Sequence, residues 1–143
     1  MDLAGYRASF DKLWGYTNVV RLGAEHLSDD GCIVLVSGAP ARRAKPGQAA
    51  IASVGGAVEQ FVRAVTAELA PKRINVVSPG VIDTPMFGND ADARAKMLGG
   101  ATAKNLIPRA GTSEEVAEGI MFVVKNDFVT GTTVDVDGGW ILS

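Results

Sequence analysis

The sequence predicts a single α/β domain over residues 1–143, built on about three parallel strands with flanking helices. Segments with apolar residues at steps of three and four alternate with short β-branched runs, in the order helix, strand, helix, strand, helix, strand. The joins are short, so each helix returns over the sheet, which makes the strands parallel and the crossovers right-handed. Three strands are few, and the first would be an open edge, so the pattern reads as half of a doubly wound domain.

The first helix is set by Phe10, Leu13, Trp14, Thr17, Val20, Ala24 and Leu27 and is ended by Ser28-Asp29-Asp30-Gly31. CIVLVS (32–37) is a strand of the kind buried on both faces. A polar loop, GAPARRAKPG, leads to a second helix with the stripe Val54, Val58, Phe61, Val62, Val65 and Leu69. INVVS (74–78) is the second strand, broken by Pro79-Gly80. A short helix opened by Asn89 follows. Thr112 and Glu115 then form a capping box for a helix whose buried face is expected at Val116, Ile120 and Val124. TTVDV (132–136) and an Asp137-Gly138-Gly139 turn close the chain.

The apolar share is 47%, with a mean hydropathy of +0.15, which suffices for a packed core. A net charge of -2 with both signs interspersed gives no reason to expect nucleic acid. The N-terminus has no basic-then-apolar pattern of a secretory signal, and no run approaches the length of a membrane span. The single Cys32 cannot form an internal disulfide, so a cytoplasmic protein with a reduced, buried thiol is expected.

KRINVVSPGVIDTPMF (72–87) resembles the segment of short-chain dehydrogenases/reductases that runs through a strand, a Pro-Gly break and a Pro-Gly-x-Ile/Val-x-Thr turn. FDKLWG, IVLVSG, GAVEQFVRAVTAELAP, IPRAGTSEEVAEGIMFVV and FVTGTTVDVDGG are similar to other segments of that family, in family order, so the resemblance spans residues 6 to 142. It implies the C-terminal half of a Rossmann-type fold and an NAD(P)-dependent oxidoreductase. The Gly-rich loop that receives the pyrophosphate at a helix N-terminus has no counterpart here. The resemblance assigns Pro79, Gly80, Ile82 and Thr84 to the nicotinamide end of an NAD or NADP site, which leaves open that the chain binds no cofactor.

Active relatives carry Tyr-x-x-x-Lys at the start of the second interface helix, with a serine and an asparagine completing the site. The resemblance places Ile51 at the tyrosine position, Gly55 at the lysine, Gly38 at the serine and Lys12 at the asparagine. All four are substituted, and carbonyl reduction needs an acid beside the substrate oxygen. Ser37 and Lys12 are the candidates for a substitute site, against the plainer reading of a capped strand end and a solvated lysine. Arg42, Arg43 and Lys45 form a loop that either attracts an acidic ligand or is ordinary surface. His26 has no orienting partner in the sequence, the aspartates match no metal-loop spacing, and no metal is expected. Ala49, Ala52, Ser53 and Gly56 make a small-residue stripe that would let another helix approach, which is one reason to tolerate Gly55 and Gly56.

Three readings follow. The first is a pseudoenzyme or scaffold that pairs as a dimer or tetramer through the helices at 10–27 and 49–69. The second is a truncated oxidoreductase, the C-terminal part of a longer one, whose N-terminal half comes from a separate chain or was removed. The third is a non-redox enzyme that reuses the cleft.

Overall fold

The computed structural model describes residues 2–143. Three parallel strands, β1 (Cys32–Val36), β2 (Arg73–Pro79) and β3 (Thr133–Val136), lie in the order β1-β2-β3. Each crossover carries a helix, so α3 (Ala49–Leu69) links β1 to β2, and α5 (Ser113–Lys125) precedes β3.

On one face Leu35, Ile74 and Val76 form the core with Val20, Val58 and Val62. Their strand spacing of two meets the helical spacing of four on α3. On the other face α5 covers all three strands, and a Cβ at Gly119 would sit 2.7 Å from Val136 Cγ2. The buried stripe of α5 is therefore Val116, Gly119, Ile120 and Val123 rather than one ending at Val124. Val123 is fully buried and Val124 exposed, because steps of three and four from Val116 reach 123.

The helix expected at 10–27 is shorter, and a separate helix not read in the sequence precedes it. Asp2 caps α1 (Leu3–Ser9), with its carboxylate accepting from the backbone N–H of Gly5 at 2.7 Å. Phe10 separates it from α2 (Asp11–Gly23), which tightens into a last turn at Ala24–His26. Trp14, expected in the core stripe, is 62% exposed, and Tyr16 packs against the core in its stead. α4 (Ala91–Thr102) is capped by Asp90 and not opened by Asn89: Asp90 Oδ1 accepts from Ala93 N at 2.8 Å. The Thr112–Glu115 capping box stands as read.

Two buried polar residues at the start of β2 went unread. Arg73, 7% exposed, donates to the carbonyls of Val123 (2.7 Å), Val124 (2.9 Å), Asn126 and Val129 (3.2 Å each). A helix C-terminus leaves its last carbonyls unpaired, and the guanidinium satisfies them while its charge opposes the helix dipole. Asn75 holds the next loop through Val129 O (2.9 Å) and Thr132 N (3.2 Å).

Cys32 is half-buried in β1, not fully buried, and its thiol lies 3.7 Å from Val123 O. The outer edge of β1 has no strand partner among the described residues. At its end the Tyr16 hydroxyl donates to Val36 O at 3.4 Å. Among the described residues no helix is long and apolar enough to cross a membrane.

Candidate functional site

β2 ends where Pro79 removes a backbone donor and Gly80 turns the chain. Gly80 is required by packing, since a Cβ there would lie 2.7 Å from Asp137 Cα. Beyond it, Ile82 forms a single parallel bridge with Gly111, and Thr84 opens a tight turn at Pro85–Phe87. A cleft of about 400 Å3 opens at this carboxyl end of the sheet, where such folds bind ligands. Pro79, Gly80, Ile82 and Thr84 all line it, together with Ser37, Gly38 and Pro40 on one side and Ser113 and Val116 of α5 on the other. Met86 and Phe87 overhang it. No lining residue carries a charge, so the cleft suits an apolar or neutral group.

Ser37 and Lys12 do meet, but not as acid and base. The Ser37 hydroxyl donates to Glu59 Oε1 at 2.9 Å, whereas Lys12 Nζ lies 3.3 Å from the Ser37 backbone carbonyl. Pro79 has no N–H to continue the parallel ladder, which leaves that carbonyl open to the lysine. The Lys12 chain remains largely in solvent, yet its ammonium rests against the strand end and stands 5.7 Å from the centre of the Tyr16 ring. Burial lowers its pKa.

The four substituted positions differ in what they would admit. A Cβ at Gly38 would find ordinary contact distances, 3.6 Å to Pro40 Cδ and 3.8 Å to Pro79 O. A Cβ at Gly55 would lie 2.9 Å from Ala41 Cβ, because the tight turn Ala39–Ala41 packs down on α3 there. Gly55 therefore admits this turn rather than another helix. Beside it, Gly56 has nothing nearer than Ala41 O at 3.9 Å. Ile51 is half exposed and stands outside the cleft lining.

Glu59 is the site residue that sequence reasoning missed. Its carboxylate, 3% exposed on α3, accepts from Ser37 and pairs with Arg42 Nε at 3.4 Å and Arg63 at 3.8 Å. The signal was present: Glu59 is the one charge between Lys45 and Arg63, next to Val58 on the buried stripe. Buried carboxylates are tolerated when paired and hydrogen-bonded, as here.

The basic loop is fully engaged within the chain. Arg42 makes a two-pronged contact with Asp135, one prong at 2.9 Å. Burial disfavours its charge, but the Asp135 hydrogen bond and the charges of Glu59, Asp135 and Asp137 outweigh that and raise its pKa. Arg43 donates to Trp140 O (2.9 Å) and Ser143 Oγ (3.2 Å), and Lys45 Nζ stands 3.7 Å over the Trp140 ring. Arg42, Arg43 and Lys45 thus stay exposed, but each has a partner within the chain.

The remaining singled-out residues have structural partners. Asp83 pairs with Arg94 at 2.9 Å, and Asp137 accepts from Gly139 N and Ile141 N. His26 lies in solvent 3.5 Å from Glu25. Among the described residues no group of three or more His, Cys, Asp or Glu side chains is placed to hold a metal ion.

A parallel α/β sheet with a cleft at its carboxyl edge and a Pro-Gly break after the central strand defines the class of dinucleotide-type folds. A family profile described as enoyl-(acyl carrier protein) reductase matches residues 3–141. The chain is 39% identical over 110 residues to short-chain dehydrogenase/reductase ATR9 of Stachybotrys chlorohalonatus, a match covering 77% of this chain and 44% of that one. It is 41% identical over 116 residues to a cyclopentanol dehydrogenase of Comamonas testosteroni, covering 77% and 45%. A solved small-chain dehydrogenase in complex with NADPH superposes with a TM-score of 0.93 at 31% identity, over 100% of this chain and 66% of the other. The ligand-free aldohexose dehydrogenase of Thermoplasma acidophilum gives 0.92 at 27%, over 100% and 62%. The chain belongs to the short-chain dehydrogenase/reductase family. It spans less than half the length of the curated relatives just named.

A whole NAD(P) molecule does not fit the donor set present. The cleft offers an apolar wall for a nicotinamide ring, but among the described residues no strand leads through a Gly-rich turn into a helix N-terminus to receive the pyrophosphate. The long helix that follows β1, α3, starts beyond a twelve-residue connection, 37–48, occupied by the turn at Ala39–Ala41 and the basic loop.

Proposed function

We propose that the chain keeps the sheet and the nicotinamide-end cleft of an NAD(P)-dependent oxidoreductase but does not reduce a carbonyl by itself. The observation that carries this reading is the 2.9 Å approach of Ala41 to the place where a Cβ at Gly55 would stand. Backbone-proximal atoms of a packed turn occupy the root of the position assigned to the lysine. Ile51 has no proton to give, and the Ser37 hydroxyl at the cleft is committed to Glu59. A general acid must come within about 2.6–3.2 Å of the reacting oxygen, and none of the lining residues is an acid of suitable pKa. The same Ser37–Glu59 bond speaks against the third reading, a non-redox site built on Ser37 and Lys12.

The test is NADH and NADPH oxidation by the 143-residue chain against a panel of ketones and aldehydes. The expected result is no turnover. Turnover abolished by Thr84→Ala would overturn the proposal.

Pairing through α2 and α3 is part of the same reading. Trp14, Val19 and Leu22 on α2 and Ile51 on α3 are each at least half exposed, apolar side chains that a second copy of these helices would cover. Sedimentation is expected to give a dimer or tetramer, and a stable monomer would count against it. A separate chain that supplies the N-terminal half is favoured by one observation, the unpaired outer edge of β1. The lone half-buried thiol suits a cytoplasmic protein.

A further inference from the structure

The segment from Gly38 to Gln48 is held from outside by the last turn of the chain. Asp135 at β3 grips Arg42, and the backbone carbonyl of Trp140 accepts from Arg43. The Trp140 indole N–H donates to Arg43 O at 3.2 Å while the ring carries the Lys45 ammonium on its face. The turn that makes these contacts is itself prebuilt. Gly138 and Gly139 take positive φ (62° and 79°), and Asp137 accepts from the N–H groups of Gly139 (2.8 Å) and Ile141 (3.0 Å). Within the segment, Gly38 and Pro40 form one wall of the cleft and Ala41 sits on Gly55.

We infer that residues 38–48 and the Trp140 turn form a clasp, and that its release frees the cleft wall and uncovers Gly55 while the sheet and α3 stay folded. The contacts divide in a way that supports this. The segment is joined to β3 and the C-terminal turn by the Arg42–Asp135 ion pair, hydrogen bonds and one cation–π contact, and to α3 by the Arg42–Glu59 pair and the small buried Ala39, whereas the sheet and α3 are joined by buried valines and isoleucines. Polar contacts near the surface open at lower free energy than an apolar core, so the clasp is a separable unit of local unfolding. Its open state would have room beside the cleft that the closed state lacks, so a cleft ligand larger than the closed cavity would favour opening. The inference concerns the motion alone and holds whether or not the cleft binds a ligand.

Limited trypsin digestion with mass-identified products tests it. Trypsin can cut after Arg42 and Arg43 but not after Lys45, which precedes Pro46. When opening is fast relative to cleavage, the cutting rate reports the open population. Asp135→Asn, at an exposed position, is expected to speed cleavage after Arg42 and Arg43 at least fivefold, with cleavage after Arg7 and Lys104 within twofold of the unaltered chain. Trp140→Leu should do the same or more. A smaller selective rise in Asp135→Asn, or equal acceleration at all four sites, would overturn the inference, since the segment would then open only with the whole fold.

Discussion

Gly55 and Gly56 are adjacent in one helix, yet substitution by alanine is expected to act in opposite directions. Both changes gain about 1 kcal/mol of helix propensity, because alanine loses less backbone freedom than glycine. At Gly56 the new Cβ meets nothing nearer than Ala41 O at 3.9 Å, an ordinary contact, so the gain is kept. At Gly55 the Cβ comes 2.9 Å from Ala41 Cβ and 3.5 Å from Ala41 Cα, so relief requires movement of the turn's backbone. That turn resists movement, since Ala39 is fully buried and Arg42 is tied to Asp135. Overpacking of this kind costs about 1–3 kcal/mol. The propensity gain cancels between the two variants, so their difference isolates the clash: Gly56→Ala should exceed Gly55→Ala by about 1–3 kcal/mol. Urea unfolding followed by far-UV circular dichroism measures it, and melting should separate the pair by about 4 °C per kcal/mol. Equal stabilities within about 0.5 kcal/mol, or a more stable Gly55→Ala, would refute the packing argument and with it the claim that position 55 is closed to a lysine.

Arg73→Leu leaves several carbonyls at the end of α5 without a donor and should destabilise the chain by about 3 kcal/mol in urea unfolding; Arg73→Lys should recover at most half of that, as an ammonium cannot reach every acceptor of the planar fork. Glu115 is held at a pKa of about 2, first by its hydrogen bond to Arg109 and then by the Thr112 N–H, below the usual value of 4.5. A carboxylate with a depressed folded pKa contributes stability above its unfolded pKa and loses it as pH falls, here between about pH 4.5 and pH 2. Glu115→Gln keeps the capping box and removes the charge, so its urea midpoint should fall below that of the unaltered chain at pH 7 and converge with it near pH 2. Lys12→Met should leave stability within about 0.5 kcal/mol by the same assay, because the lysine's one polar partner is a solvent-accessible carbonyl.

The order of elements was legible because periodicity reports which side of a segment is buried, and here α3 from Ala49 to Leu69 and the Thr112 box carry that signal strongly. The short helix α1 was not legible, because it buries no side chain and so leaves no apolar stripe, and Phe10, read as the start of the next helix, instead separates the two. Trp14 was misplaced because a helix face is judged by hydrophobicity, which an apolar surface satisfies as well as a core does. The cleft was foreseeable from Pro79-Gly80, where a proline must end the ladder. Glu59 was signalled as the lone charge on the buried stripe of α3, but Arg73 and the partners of Arg42 and Arg43 were not foreseeable, since each depends on groups far away in sequence. Asp135 is 93 residues from Arg42, and no local pattern encodes that contact.

The central claim is that this chain retains a nicotinamide-end cleft without the groups that bind and use a whole dinucleotide. Calorimetric titration of the 143-residue chain with NADH and NADPH tests it most directly. The account predicts no saturable binding in the micromolar range. Saturable micromolar binding of either cofactor would contradict it and would mean that a pyrophosphate site is completed within the chain or across an interface between copies.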